Sequence, residues 1–210
     1  MKIVIAGASG FGKEVLDILR HEPNNDIVGF IDKDEKLFGS KINGVPVLGD
    51  DAILAKLHSE GVSAVVVAIG DHRIRRRLFD LALDYGYELI NVIHPSAYIS
   101  RYAELGRGVI IYAGVVINTN VRIGDNVLLN SGATIGHDTK IGGDVNINPG
   151  ANIAGRVLIK RGAYIGIGAS ISENLTIGEG SVVGAGSVVV RDVPDNVVAA
   201  GVPARAIKHI

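Results

Sequence analysis

The hydrophobic positions follow two different patterns along the chain, and the change falls near residue 93. Before it, short runs that are apolar throughout alternate with stretches of helical spacing. The apolar runs cover residues 2–6, 26–31, 63–69 and 88–93, and the helical stretches cover 12–20, 51–60 and 72–85. Apolar strands separated by helices are typical of a parallel sheet with both faces covered. The pattern predicts an α/β domain over residues 1–92.

From residue 93 onward the apolar positions recur with a strict period of six, which is neither helical nor alternating. Ile, Leu or Val occupies every sixth position from Ile93 to Val189. Three short strands per turn explain this period, because residues 18 apart then stack at about the 4.8 Å spacing of neighbouring strands. Glycine suits the corners, where a positive φ is needed. The pattern predicts a parallel β-solenoid over residues 93–210, and its flat apolar faces predict a trimer.

Composition and charge narrow the class of protein. The 210 residues include 21 basic and 22 acidic side chains, a balance that argues against a nucleic-acid or acidic-membrane surface. The absence of cysteine excludes disulfides and thiolate chemistry and is typical of a reducing cytoplasm. The first apolar run ends at Gly7, too early for a signal peptide or a membrane span. We therefore expect a cytoplasmic protein. Any anion that it binds is held by a few residues at one site and not by an excess of positive charge over the surface.

One histidine, His137, lies within the ladder between Ile99 and Val189. It follows Ile135 by two positions, where side chains point away from the core. Imidazole titrates near neutral pH and can take a proton from an attacking amine or hydroxyl. The neighbouring Asp138 can orient the ring only if a corner bends the chain, because adjacent residues of a strand face opposite ways. A solvated histidine and a turn aspartate that bonds its own backbone are the alternatives.

A glycine-rich loop, residues 7–12, follows the first predicted strand and opens the first predicted helix. Its N–H groups can hold a phosphate at the helix N-terminus. Asp32 ends the second strand, where a Rossmann unit places its ribose-binding acid. The glycine spacing differs from the dinucleotide fingerprint, and the domain is too short for two mononucleotide halves. A nucleoside diphosphate sugar therefore fits better than NAD. The basic run 72–77 is either a solvated face or, with Arg75 as the best-placed residue, a group that steers the diphosphate.

The ladder, the closing segment 201–205 and the His137–Asp138 pair resemble the hexapeptide-repeat, left-handed β-helix acyltransferases. With the glycine-rich loop in front, the whole chain resembles the PglD/NeuD-like sugar acetyltransferases of bacterial glycan synthesis. The resemblance implies a Rossmann-like N-terminal domain that binds a nucleotide sugar and a left-handed parallel β-helix that binds acetyl-CoA. It also implies a homotrimer with active sites between subunits.

The resemblance assigns roles to individual residues. His137 is the base, Asp138 supports it, and Gly155, one turn of 18 residues later, leaves room for the thioester and offers its N–H to the oxyanion. The coenzyme A positions are Asn146, Ile167, Ala185, Gly201 and Arg205. The nucleotide-sugar positions are Ser9, Gly10, Phe11, Asp32, Lys33, Gly70, Arg75 and Asn130. Phe11 and Asn146 depart from the family, in which histidine is common at both places. A plain corner glycine is the alternative for Gly155, and Phe11 either stacks on the ligand or packs the loop.

The expected function is acetyl-CoA-dependent N-acetylation of a nucleotide-linked amino sugar, of the UDP-4-amino-sugar type. One alternative is O-acetylation of a sugar hydroxyl, as in the sialic-acid-type enzymes. Another is a non-catalytic trimer that only binds a nucleotide sugar. A zinc carbonic anhydrase on the same kind of helix would need about three convergent histidines. The ladder supplies only His137, so no metal is expected.

Overall fold

In a computed structural model, which describes residues 1–210, the chain divides into two units, Met1–Val92 and Ile93–Ile210. The first unit is an α/β sheet with helices, and the second is a long run of parallel strands that forms a β-helix. The predicted fold class is thereby confirmed. No helix of either unit is long and apolar enough to cross a bilayer.

Six strands form the sheet of the first unit, in the order β3-β4-β2-β1-β5-β6. The strands are β1 Lys2–Ala6, β2 Asp26–Ile31, β3 Lys41–Ile42, β4 Val45–Gly49, β5 Ala64–Val67 and β6 Glu88–Leu89. The helices are α1 Gly10–Leu19, α2 Leu54–Ser59 and α3 His72–Asp84, with 3-10 turns at Glu35–Leu37 and Asp51–Ile53. All neighbouring strands are parallel except β3 and β4. The central strands β1 and β5 are buried almost throughout, as their continuous apolar runs predict.

Two details of this unit differ from the sequence prediction. The β3–β4 hairpin was missed, because β3 has only two residues and Pro46 in β4 argues against a strand. β4 nevertheless pairs in parallel with β2 and extends the sheet. The predicted strand 88–93 is two strands: β6 ends at Leu89, and Val92–Ile93 begins the first sheet of the β-helix.

Three parallel sheets make up the β-helix, and each contributes a two-residue strand to every turn. The first contains Val92–Ile93, Ile110–Ile111, Leu128–Leu129, Asn146–Ile147, Tyr164–Ile165, Val182–Val183 and the closing hairpin Val197–Gly201 with Ala204–His209. The second contains Tyr98–Ile99, Val116–Ile117, Thr134–Ile135, Asn152–Ile153, Ser170–Ile171 and Val188–Val189. The third contains Glu104–Leu105, Arg122–Ile123, Lys140–Ile141, Leu158–Ile159 and Thr176–Ile177.

The register of these sheets is the predicted offset of 18 residues, as in the pairs Ile111↔Leu129, Ile117↔Ile135 and Ile123↔Ile141. The ladder side chains fill the interior, and Ile117, Ile135 and Ile147 are fully buried. Small residues such as Ala133 and Ala151 pack beside them. The core is narrow, so branched and small side chains fill it without aromatic anchors.

Each turn has three corners, which we number by the sheets they join. The first corner joins the first sheet to the second, the second corner joins the second sheet to the third, and the third corner leads back to the first sheet. Every corner between residues 106 and 187 contains a residue with positive φ. At the second corner these residues are Asn120, Asp138, Arg156 and Asn174, with φ between 58 and 60°. The predicted role of glycine at corners therefore holds at the first corner, whereas Asn, Asp and Arg occupy the second.

Candidate active site

The second corner brings His137 and Asp138 together. Asp138 has φ 59°, a left-handed conformation that turns the chain between two strands and lets adjacent side chains meet. Nδ1 of His137 lies 2.8 Å from Oδ2 of Asp138. The bend that this contact requires is therefore present. With Nδ1–H donating to the carboxylate, the lone pair of the ring lies on Nε2.

Gly155 lies one turn above the imidazole and leaves space for it. A Cβ at Gly155 would lie 2.7 Å from Nε2 of His137, so any side chain there would displace the imidazole. The amide of Arg156 donates to the carbonyl of His137 at 2.8 Å and holds the two turns in register. The N–H of Gly155 itself donates to no group of the chain. The N–H of Gly155 is therefore available to donate to a ligand, as an oxyanion requires.

The Asp138 carboxylate is ionised and held in place from two sides. Hydrogen bonds from His137 and then from Asn120 hold the pKa of Asp138 below its ordinary value, and the charges of His137 and Arg156 act in the same direction. The side chains of His137 and Asp138 are 48% and 46% exposed, so a substrate can reach both. A carboxylate that accepts from one imidazole nitrogen leaves the other nitrogen free to accept a proton.

The predicted coenzyme A positions lie elsewhere in the β-helix. Ile167 and Ala185 are exposed and occupy the first corner one turn apart. Asn146 is buried in a strand of the first sheet, and Gly201 and Arg205 lie in the closing hairpin. Within one chain, none of these residues therefore lies at the second corner with the His137 pair.

Asn130, predicted for the acceptor pocket, also lies at the first corner. Its side chain is buried, and Nδ2 is 3.4 Å from the carbonyl oxygen of Ile147 in the turn above. Of the predicted residues in the β-helix, one chain thus brings together His137, Asp138 and Gly155.

A cavity of about 310 Å³ opens in the first unit beside the glycine-rich loop. Four of the predicted nucleotide-sugar residues line it: Ser9, Asp32, Lys33 and Gly70. Ser9 precedes α1 and makes no capping hydrogen bond, whereas Asp71 caps α3 by accepting from the amides of Arg73 and Ile74. Gly10 has open space where its Cβ would be. The start of α1 therefore offers amides to an anion, and the start of α3 is already satisfied.

Asp32 holds the shape of the loop. Its Oδ2 accepts from the amide of Ala8 at 2.8 Å, and its Oδ1 accepts from the amide of Asp34 at 3.0 Å. Two of the glycines are required by packing. A Cβ at Gly12 would lie 1.9 Å from the carbonyl oxygen of Gly7, and a Cβ at Gly7 would lie 2.5 Å from the carbonyl oxygen of Ala68. The glycine spacing of the loop thus allows two backbone segments to approach closely, and the hydrogen bonds that Asp32 accepts hold the loop in this shape.

Two predicted contact residues have a different place in the structure. Arg75 is only 1% exposed, and Nη1 donates to the carbonyl oxygens of Ile69 and Gly70 at 3.0 and 3.2 Å. Arg75 thus holds the Ile69–Gly70 loop and does not line the cavity, and its contact with a diphosphate stays a prediction. Phe11 is half-buried and packs against Gly70, where its ring carbon would lie 3.0 Å from a Cβ. Phe11 thus contacts Gly70 and is not among the residues that line the cavity.

The sequence reasoning missed Arg77 and Asp51, which both line the cavity and form an ion pair at 2.7 Å. The signal was present in the helical spacing of α3. Arg75, Leu78, Phe79 and Ala82 are buried and share one face. Arg77 lies about 160° from Arg75 around the helix axis and is exposed. A helical projection therefore favours Arg77 over Arg75 as the arginine that meets a ligand.

Comparison with known proteins places the chain in a family. A family model described as the PglD N-terminal domain matches residues 2–82, and one described as bacterial transferase hexapeptide (six repeats) matches residues 120–155. The crystal structure of PerB from Caulobacter crescentus, in complex with CoA and GDP-perosamine, is 41% identical with a TM-score of 0.93. The match covers 99% of this chain and 98% of that one. The chain belongs to the PglD/NeuD-like family of sugar acetyltransferases.

Further proteins are similar to this chain in sequence, and one of them also in solved structure. The acetyltransferase domain of PglB from Neisseria gonorrhoeae is 34% identical over 98% of this chain and 99% of that one, with a TM-score of 0.90. The same domain has been solved in complex with acetyl coenzyme A. A GDP-perosamine N-acetyltransferase of Escherichia coli O157:H7 is 34% identical over 119 residues. That match covers 55% of this chain and spans 53%, about half, of the curated relative.

Proposed function

We propose that the protein transfers the acetyl group of acetyl-CoA to the amino group of a nucleotide-linked amino sugar. The observation that carries this proposal is the second corner, where the Nε2 of the His137–Asp138 pair faces an open Gly155. The two relatives solved with CoA or acetyl coenzyme A support the donor. The two relatives named with GDP-perosamine support an amino-sugar acceptor.

His137 is the general base of this reaction. While Asp138 holds Nδ1–H, Nε2 accepts a proton from the sugar amine as the amine nitrogen attacks the thioester carbonyl. A C–N bond forms, and the carbonyl oxygen becomes an oxyanion that accepts from the N–H of Gly155. The C–S bond then breaks, and the proton passes from Nε2 to the leaving sulfur. The products are the acetamido sugar and CoA with a free thiol.

The cavity of the N-terminal unit is the proposed site for the nucleotide sugar. Its diphosphate meets the amides at the start of α1, next to Ser9 and Gly10. Lys33 and Arg77 add positive charge at the cavity wall. Arg77 can exchange its partner Asp51 for a phosphate, because guanidinium binds both groups with the same paired geometry. Asp32 and the buried Arg75 keep the walls in place.

A second copy of the chain completes the coenzyme A groove. The predicted groove residues and the His137 pair lie at different corners, so one copy supplies the base and another supplies Ile167 and Ala185. Asn146, Gly201 and Arg205 extend the groove, and Asn130 keeps its predicted place in the acceptor pocket. We propose a homotrimer with three such sites, acting in the cytoplasm.

The test is an acetyl-transfer assay with a matched set of acceptors. The protein is incubated with acetyl-CoA and GDP-, UDP- or dTDP-linked amino sugars, each beside its hydroxyl counterpart, while free thiol and product mass are followed. We expect one acetyl group to be added to an amino sugar alone, and the GDP and UDP arms decide the nucleotide. Turnover only on hydroxyl sugars would move the assignment to O-acetylation. No turnover, with nucleotide-sugar binding intact, would favour the non-catalytic trimer.

A further inference from the structure

The second corner contains a column of four residues that share one backbone conformation. Asn120, Asp138, Arg156 and Asn174 are one turn apart, and their φ angles are 58, 59, 58 and 60°. Because the backbone repeats, the side chain of each residue can reach its neighbours above and below. Asn120 bonds Asp138, and Arg156 bonds Asn174. The carboxylate next to the base is thus part of a longer polar column.

The Asp138 carboxylate has one partner for each oxygen. Its Oδ1 accepts from Nδ2 of Asn120 at 3.0 Å, and its Oδ2 lies 2.8 Å from Nδ1 of His137. The torsion that sets the plane of an aspartate carboxylate is broad and has little intrinsic preference. Asp138 is nearly half exposed, so packing does not fix this plane either. The two hydrogen bonds, from Asn120 and from His137, fix it together.

Arg156, the residue above Asp138, is engaged elsewhere. Its Nη2 lies 2.6 Å from Oε2 of Glu173, and its Nε donates to Oδ1 of Asn174 at 2.7 Å. The guanidinium adds positive charge near Asp138, but its hydrogen bonds go to the next turn. Asn120 is therefore a neutral donor to the carboxylate, and the titratable His137 and the charged Arg156 are the other groups that face it.

We propose that Asn120 is a positioning residue for acetyl transfer: its amide sets the plane of the Asp138 carboxylate, which in turn keeps Nε2 of His137 directed at the open side of Gly155. The inference rests on the proposed function for its catalytic consequence. Its structural part is that Asn120 influences the His137 imidazole through Asp138. This part can be measured without an activity assay.

Two substitutions separate this role from general support of the corner. Asn120→Gly removes the amide but keeps the left-handed conformation, which glycine adopts freely. Asn120→Asp keeps the shape but replaces the donor with an acceptor and a second negative charge. Asn126→Gly is the control, because Asn126 has φ 61° and also donates to an aspartate one turn above, Asp144, at 2.7 Å. No histidine belongs to that pair.

We expect Asn120→Gly to lower kcat about tenfold with KM for both substrates unchanged, the size of one hydrogen bond to a charged group. In Asn120→Asp, the added carboxylate favours the protonated imidazolium. The acidic limb of its pH–rate profile should therefore move to higher pH by about half to one unit. Asn126→Gly should leave kcat and the pH profile within about twofold of the unaltered protein, since its effect is on folding alone.

The titration of His137 followed by NMR gives a readout that does not need turnover. Its midpoint should rise in Asn120→Asp and stay unchanged in Asn126→Gly. An unchanged midpoint in Asn120→Asp would overturn the inference, as would a kcat loss in Asn126→Gly equal to that in Asn120→Gly. If the unaltered protein acetylates no amino sugar while the midpoint shifts as expected, the proposed function fails and the coupling of Asn120 to His137 stands.

Discussion

Two corners of the β-helix carry complementary halves of the proposed site. The second corner holds His137, Asp138 and Gly155, with a titratable pair open to solvent. At the first corner, Ile167 is 58% exposed and Ala185 is exposed one turn above it. Glycines flank both residues, so this surface is apolar and carries no charge. The proposed base and the proposed cofactor surface are thus separated within one chain, which is why the proposed site needs two copies of the chain.

Removal of the base gives the largest effect expected at the second corner. His137→Ala should lower kcat about 10³-fold, within the range that general-base catalysis contributes, while KM for acetyl-CoA stays unchanged. The rate of free-thiol release at saturating substrates measures this. His21→Ala, a histidine beyond the end of α1 in the other unit, is the control and should keep its kcat. Near-normal turnover in His137→Ala would remove the second corner from the mechanism.

A side chain at Gly155 tests whether the open space beside the imidazole at the second corner is needed for turnover. Gly155→Ala places a methyl group against Nε2, where a Cβ would lie 2.7 Å away. Because Gly155 lacks a positive φ, alanine adds no backbone strain there. We expect kcat to fall about tenfold to a hundredfold, the cost of a displacement near 1 Å at a reacting group.

A double substitution shows whether Gly155 acts through the base. In a His137→Ala background, Gly155→Ala should cause almost no further loss of kcat, because both changes remove the same step. Additive losses would mean that Gly155 matters for another reason, such as the register of the turns.

A negative charge introduced at the first corner should weaken the binding of acetyl-CoA and leave the rate of acetyl transfer unchanged. Ile167→Glu removes apolar surface and repels the phosphates of CoA, so KM for acetyl-CoA should rise about tenfold with kcat unchanged. Leu158→Glu is the matched control, since Leu158 is an apolar residue of the third sheet that is 41% exposed. An equal rise in both variants would contradict a groove at the first corner.

The repeat made much of the second corner predictable from the sequence. Once the period of six implied turns of 18 residues, Gly155 had to lie above His137, and the pairing Ile117↔Ile135 followed in the same way. The contact between His137 and Asp138 required one more fact, the left-handed conformation of Asp138, which the sequence permits without determining.

The cavity of the N-terminal unit was less predictable, because no repeat relates its walls. Asp32 and Gly70 approach the loop through the tertiary packing of separate strands, and the β3–β4 hairpin that extends the sheet has no clear strand signal. Arg75 and Arg77 differ only in the face of α3 that each occupies. A basic run by itself does not reveal which of its members meets the ligand.

A substitution outside both corners gives the smallest effect and a baseline for purely structural change. Asp71 caps α3, and its pKa is held below the ordinary value, mainly by the hydrogen bond from the amide of Ile74. Asp71→Ala should lower the free energy of unfolding by about 1 kcal/mol at pH 7, with kcat and KM for acetyl-CoA unchanged.

The pH dependence of this loss has a defined sign. A carboxyl with a lowered pKa in the folded state stabilises the protein at pH values above its unfolded pKa, and the contribution disappears as the pH falls through the folded value. Denaturant unfolding should therefore show a difference between Asp71→Ala and the unaltered protein at pH 7 that shrinks below about pH 4, near the unfolded pKa of an aspartate. A difference that grows in acid would contradict the capping bond.

Complementation between two impaired variants tests most directly whether one site is built from two copies. His137→Ala and Ile167→Glu are produced together in equal amounts, and acetyl transfer is measured at acetyl-CoA concentrations well below the raised KM. In randomly mixed trimers, about a quarter of the sites join an unaltered His137 to an unaltered first corner, so about a quarter of the normal activity should return. Activity no higher than the average of the two variants made separately would contradict a shared site.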